Sequence, residues 1–162
     1  MKKMFLIVAA IFVLASMMTA CAQEPLGDPL ITVSGKLGKT NSGDTFVVDQ
    51  AFFDAYSTEV TMNDPWMGDG IAYRGVLIRD LLDAMKVPAD ATTFTVTATD
   101  GMSRDIAIAD AKQWDIMLAR WADGEELVED TGGPVKIVFP TEAGEAYPDE
   151  EWMWWLVSAE VK

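Results

Sequence analysis

From Thr92 to Thr99 apolar and polar residues alternate without a break. Phe94, Val96 and Ala98 fall on one face, Thr93, Thr95, Thr97 and Thr99 on the other. A period of two is that of a strand with one buried face. Asp100-Gly101 then supplies a tight turn, and Arg104 to Ile108 is the returning hairpin partner. Shorter apolar runs predict further strands at 30–35, 45–48, 59–62, 71–75, 116–121, 135–139 and 152–161. Leu77 to Lys86 has the other period. Leu77, Ile78, Leu81, Leu82 and Met85 share one helical face, and Pro88 ends the run. Asp49 is placed to cap a short helix through Phe53 and Tyr56, and Asp110 to Trp114 reads as one helical turn. Asn63 to Gly70, rich in Pro and Gly, predicts a loop, and a long acidic loop precedes Trp152. Many short strands with few helices predict an α+β domain with a mixed, mainly antiparallel sheet. A regular βαβ series is absent from the pattern.

The N-terminus follows neither period. Lys2 and Lys3 precede twelve unbroken apolar residues, Met4 to Ala15, and then Thr19-Ala20-Cys21-Ala22. That is the layout of an export signal. Twelve apolar residues are too few to span a bilayer as a helix, which takes roughly 20. The expected division is a signal over 1–22, a tether over 23–29 and one domain over 30–162. Cys21 has two readings. After Met18-Thr19-Ala20 it resembles a lipobox cysteine that would be lipidated, although leucine is usual where Met18 stands. Ala20-Cys21-Ala22 also suits simple cleavage after Ala22. Both readings place the domain outside the cytoplasm, in the periplasm or cell envelope, and the membrane enters only through a lipid anchor.

Charge narrows the chemistry. The chain has 12 basic and 26 acidic residues, a net charge of −14; without the two signal lysines it is 10 − 26 = −16. Such a charge repels phosphate backbones, so nucleic acid is not an expected partner. The chain has no histidine and one cysteine. Ser-His-Asp and Cys-His catalysis, histidine-bound metals and intrachain disulfides are thereby excluded. Two acidic groups, Asp64 and Asp69 beside Asn63, and Glu142, Glu145, Asp149, Glu150 and Glu151, lack EF-hand spacing and are expected to be solvated surface.

Five segments in register carry a resemblance. They are Tyr73-Arg74-Gly75-Val76-Leu77-Ile78-Arg79-Asp80-Leu81-Leu82, the strand ending at Asp100-Gly101, Ile116 to Ala119 followed by Asp123-Gly124, Gly132-Gly133-Pro134, and Met153 to Val157. Together they resemble the oxidoreductase molybdopterin-binding domain of the sulfite oxidase superfamily, over roughly residues 30–162. The resemblance implies that fold, and a molybdopterin cofactor if the family activity is retained. It also implies a metal-ligating cysteine in a Cys-x-Gly-Asn-Arg type loop after the strand holding Val60 to Met62. Here that loop begins Asn63-Asp64-Pro65-Trp66, without cysteine. A soft thiolate ligand is therefore missing, no metal ligand is expected, and no cofactor is expected unless ligation is atypical.

The candidate site is a shallow pocket lined by Asn63, Trp66, Tyr73, Arg74 and Arg120. Arg120 shares a face with Ile116 and Leu118, so an inward carboxylate partner is expected, Asp100 or Asp123. Trp152 and Trp154 on one strand face and Trp155 on the other are expected to be core. The favoured reading is a cell-envelope binding or accessory domain that takes a small molecule or an envelope protein. An atypically ligated molybdopterin oxidoreductase and a structural envelope lipoprotein are the alternatives.

Overall fold

The computed structural model describes residues 24–162; the expected signal and Cys21 lie outside the described residues. Two five-stranded sheets carry the domain. The first is ordered β2-β1-β10-β5-β6, from β1 (Ile31–Gly35), β2 (Phe46–Val48), β5 (Thr93–Ala98), β6 (Ser103–Ala107) and β10 (Leu156–Val161). The second is ordered β3-β4-β7-β8, with β9 also on β7. Its strands are β3 (Thr58–Asp64), β4 (Gly68–Leu77), β7 (Met117–Ala122), β8 (Glu125–Glu126) and β9 (Lys136–Val138). The β1–β10 pair is parallel and every other strand pair is antiparallel. The expected α+β class is thus observed.

Three α-helices lie among the described residues: α1 (Gln50–Tyr56), α2 (Ile78–Ala84) and α3 (Ile108–Gln113). Asp49 caps α1 as its sequence position predicts. Its Oδ1 accepts from Phe52 N at 2.8 Å, while Oδ2 accepts from Leu26 N and Gly27 N at 2.7 and 3.0 Å. The expected tether is therefore pinned to the domain by the same carboxylate. Helix α2 is shorter than the periodicity suggests. Leu77 belongs to β4, and after the cap at Met85 the chain turns through Lys86 at φ 50°.

The second sheet is apolar on both faces. Val76, Leu118 and Ile137 join the main core with Val33, Phe94 and Leu81. Met62, Tyr73, Leu77, Met117, Ala119 and Val138 form a second cluster. Gly75 is what brings β4 and β7 close enough. A Cβ there would lie 2.1 Å from Leu118 O and 2.7 Å from Ala119 Cα, a gap that no side chain fits. The glycine in the Tyr73-x-Gly-Val run is thus a sheet-packing requirement, next to a register shift at Arg74/Gly75.

Two expectations are corrected. The Asn63–Gly70 loop is a tight hairpin: β3 runs to Asp64, β4 starts at Gly68, and only Pro65, Trp66 and Met67 turn. The strand expected from Trp152 begins only at Leu156. Trp155 sits at φ 55°, its N–H donates to Gly132 O at 2.9 Å, and Met153 O accepts from Ile137 N at 3.0 Å. These contacts hold Trp152 to Trp155 as an irregular crossing between the sheets. The acidic loop before it is ordered by Tyr147. Its ring stacks on Phe139 at 4.7 Å, and its hydroxyl donates to Asp110 at 2.8 Å and accepts from Ala107 N at 3.1 Å.

Candidate functional site

The β3–β4 hairpin is built around a buried charge. Asp64 Oδ1 accepts from Trp66 N at 2.8 Å and Met67 N at 2.9 Å, which sets the turn. Its Oδ2 accepts from Tyr73 Oη at 2.5 Å and pairs with Lys136 Nζ at 2.6 Å. Both side chains of the ion pair are 0% exposed. Lys136 shares its strand face with Val138, and its ammonium lies 5.0 Å from the Tyr73 ring, 5.3 Å from Trp154 and 5.8 Å from Trp152. Each ring face offers favourable electrostatics to the cation.

Burial alone would push the Asp64 carboxyl up. The hydrogen bonds from Lys136, Tyr73, Trp66 N and Met67 N outweigh it and hold the group below the ordinary carboxylate range. Burial, then the bond to Asp64, raises the Tyr73 phenol. Tyr73 is thus a neutral donor and Asp64 a carboxylate whose lone pairs are fully used. Burial pulls the Lys136 amine down, with Asp64 opposing. The 2.6 Å contact and the lowered carboxyl favour the charged pair.

Sequence reasoning misses this centre. Asp64, expected on a solvated acidic surface, is 4% exposed, because the hairpin folds it onto Lys136. The one signal for it is Lys136 itself, a lone charge inside the apolar run Val135 to Phe139.

The predicted site residues fall into separate places. Trp66 is 52% exposed, with edge contacts to Trp152 and Trp154, both at 6.0 Å between ring centroids. Asn63 Oδ1 accepts from Gly70 N at 3.0 Å beside a cavity lined by Pro65, Tyr147 and Trp152. Tyr73 is fully buried beneath the hairpin, which removes it from any pocket wall. Arg74 stacks on Trp121 at 3.7 Å. Arg120 is inward, as the alternation with Leu118 predicts, but its partner is Glu126 at 2.9 Å, with Gln50, Leu127 O and Pro134 O accepting at 3.4–3.5 Å. The expected partners are engaged elsewhere. Asp100 accepts from Met102 N in its own turn, and Asp123 accepts from Ala72 N. Neither cavity beside the hairpin is lined by Tyr73, Arg74 or Arg120, so the five residues do not form one pocket.

The tryptophans take that place. Trp66, Trp152, Trp154 and Trp155, four of the chain's six, line a cavity of about 310 Å³ with Ala98, Met102 and Met153. The expectation that Trp152, Trp154 and Trp155 are core fails for Trp154 and Trp155, which are part-exposed because the segment leaves the sheet before Leu156, while Trp152, half-buried, packs against both core clusters. Gly132, at φ 90°, lets the indole in; a Cβ there would lie 2.7 Å from Trp154 Cγ. Trp155 Nε1 donates to Glu129 O at 2.9 Å.

Known proteins share this fold. The family model of the oxidoreductase molybdopterin-binding domain matches residues 49–159. The chain belongs to that family. Among solved structures, the sulfane dehydrogenase SoxCD from Paracoccus pantotrophus has the same fold, with a TM-score of 0.63 and 17% identity. The match covers 87% of this chain and 40% of that one, so the chain spans well under half of its neighbour. No curated protein matches the sequence.

Family membership raises the question of whether these residues suit a molybdenum centre. The donor set does not. Among the described residues there is no cysteine and no histidine, and no three acidic side chains converge as ligands. The hairpin's own oxygens, Asp64 and Tyr73, are consumed by each other, by Lys136 and by two backbone N–H groups. A metal there would have to displace a buried ammonium 2.6 Å from the carboxylate. The residues present do not fit the metal.

Proposed function

We propose that the protein is a binding or accessory domain of the cell envelope, one that uses the molybdopterin-oxidoreductase fold without molybdenum catalysis. The observation that carries this reading is the buried Asp64–Lys136 pair in the β3–β4 hairpin, where the resemblance puts the cysteine loop of catalytic members. One alternative is an oxidoreductase that holds the metal through a carboxylate or hydroxyl oxygen; at the hairpin itself Asp64 and Tyr73, the buried oxygens, are already committed. The alternative of a purely structural lipoprotein leaves the part-exposed tryptophan cavity without a use.

The envelope placement rests on the N-terminal sequence: Lys2, Lys3, the apolar run to Ala15, and Cys21 as the anchor. No helix among the described residues is long and apolar enough to cross a membrane. Partners are a small molecule or an envelope protein. Two measurements test the reading. Metal and pterin analysis of the protein purified from its native envelope should find no stoichiometric molybdenum, and a molar equivalent of molybdenum would overturn the non-catalytic assignment. A Cys21→Ser variant should leave the membrane fraction; its retention there would overturn the lipid anchor.

A further inference from the structure

The tryptophan cavity has a shape and a charge that select a ligand class. Trp66 stands at 68° to Trp152 and 82° to Trp154, and Trp154 stands at 80° to Trp155. These neighbouring rings are near-perpendicular, so none of these contacts forms a parallel slot for a flat quinone or sugar ring. Rings set as walls instead suit a compact, rounded group that meets several of them at once.

The rim chooses the sign. The lining charges are Asp100, Glu150 and Arg104. Arg104 Nε lies 3.3 Å from Glu151, which leaves Asp100 and Glu150 outside any ion pair among the described residues. The whole chain is at −14, so a cation is drawn in and an anion is repelled. The rest of the lining, Ala98, Met102, Met153 and the indoles, offers few hydrogen-bond partners. A polyhydroxylated ligand would lose its bonds to water there without replacement. A cation that carries methyl groups in place of N–H donors loses none. Two of these indoles already stand near a cation: Lys136 Nζ sits 5.3 Å from Trp154 and 5.8 Å from Trp152, and Lys136 does not line the cavity. A volume of about 310 Å³ accepts a headgroup-sized molecule.

We infer that the Trp66–Trp152–Trp154–Trp155 cavity binds a quaternary ammonium group, with Asp100 and Glu150 supplying the opposite charge. The inference deepens the binding-domain reading by naming a ligand class. It is also separable from it, because finding molybdenum would sink that reading without touching the titration below.

The test is a titration of the full chain followed by indole fluorescence, with choline, tetramethylammonium, and 3,3-dimethylbutan-1-ol as the uncharged isostere of choline. Phosphatidylcholine vesicles form a further arm, which separates a lipid headgroup from a free solute. Choline or the vesicles should bind, and the neutral isostere should bind roughly tenfold more weakly than choline. Trp66→Ala should weaken binding by a similar factor, and Asp100→Asn with Glu150→Gln by several-fold. Unchanged circular dichroism establishes that each variant folds. Trp66 is half-exposed, and the amide introduced by Asp100→Asn keeps an oxygen to accept from Met102 N in the turn. Absence of binding to both choline, up to ~10 mM, and vesicles would overturn the inference. Equal binding of choline and its neutral isostere would overturn it as well, since the site would then be merely apolar.

Discussion

Replacing Lys136 by methionine removes one half of a buried ion pair and leaves the other. Asp64 would keep three donors: Tyr73 Oη at 2.5 Å, Trp66 N at 2.8 Å and Met67 N at 2.9 Å. Breaking a buried pair typically costs 3–5 kcal/mol, because the survivor is a desolvated charge without its counter-ion. With three donors retained, Lys136→Met falls at the low end, ~3 kcal/mol, or a fall in Tm of roughly 10 °C. Asp64→Asn should cost more, ~4 kcal/mol. It leaves the ammonium without a counter-charge, and its other hydrogen-bond partner among the described residues is Met67 Sδ at 3.5 Å. The double variant holds no unpaired charge, so it should cost clearly less than the two singles together, with a coupling of about 2 kcal/mol or more. Urea unfolding of the four proteins, followed by circular dichroism, measures the cycle. If Lys136→Met costs under ~1 kcal/mol, or if the single costs add to the double, Asp64 and Lys136 are not a coupled buried pair.

Other outcomes follow from the same geometry. Gly75→Ala should destabilise severely, by ~3 kcal/mol or more, because its Cβ would meet Leu118 backbone at 2.1 Å; thermal unfolding reads it. Asp49→Ala should cost about 1–2 kcal/mol as a lost helix cap, and limited proteolysis should then cut near Leu26 and Gly27, which lose their acceptor. Acid should unfold the protein through Asp64. Its folded pKa lies below the ordinary 3.8, so between the two values the unfolded chain binds more protons. The stabilisation is then present above about pH 4 and is lost as pH falls through the folded value. Asp64→Asn should flatten that part of the pH–stability curve.

Much of the fold is legible wherever one period rules a segment. Thr93 to Ala98 alternate and form β5, and Asp49 caps α1, because local chemistry decides both. Boundaries fail where the chain changes partners. Leu77 suits the helix face by spacing, yet β7 claims it for β4. Trp152 to Trp155 are strand-like by composition, yet the Gly132 carbonyl and a left-handed Trp155 turn them out of the sheet. The site is less legible. Trp66 lines the tryptophan cavity and Asn63 the neighbouring one, Tyr73 belongs to the buried Asp64 centre, and the two arginines lie apart from all three, since sequence spacing is silent on which residue a β-hairpin folds across. The Asp64–Lys136 pair joins positions 72 residues apart; only the oddity of a lysine in an apolar strand marks it.

This member of the family holds a buried salt bridge in the hairpin where the resemblance puts the metal-ligating loop of catalytic members. Molybdenum per chain, measured by mass spectrometry on protein purified from molybdate-supplied native cells, tests the non-catalytic reading most directly. The expected molybdenum content is far below one per chain. One molybdenum per chain would contradict that reading.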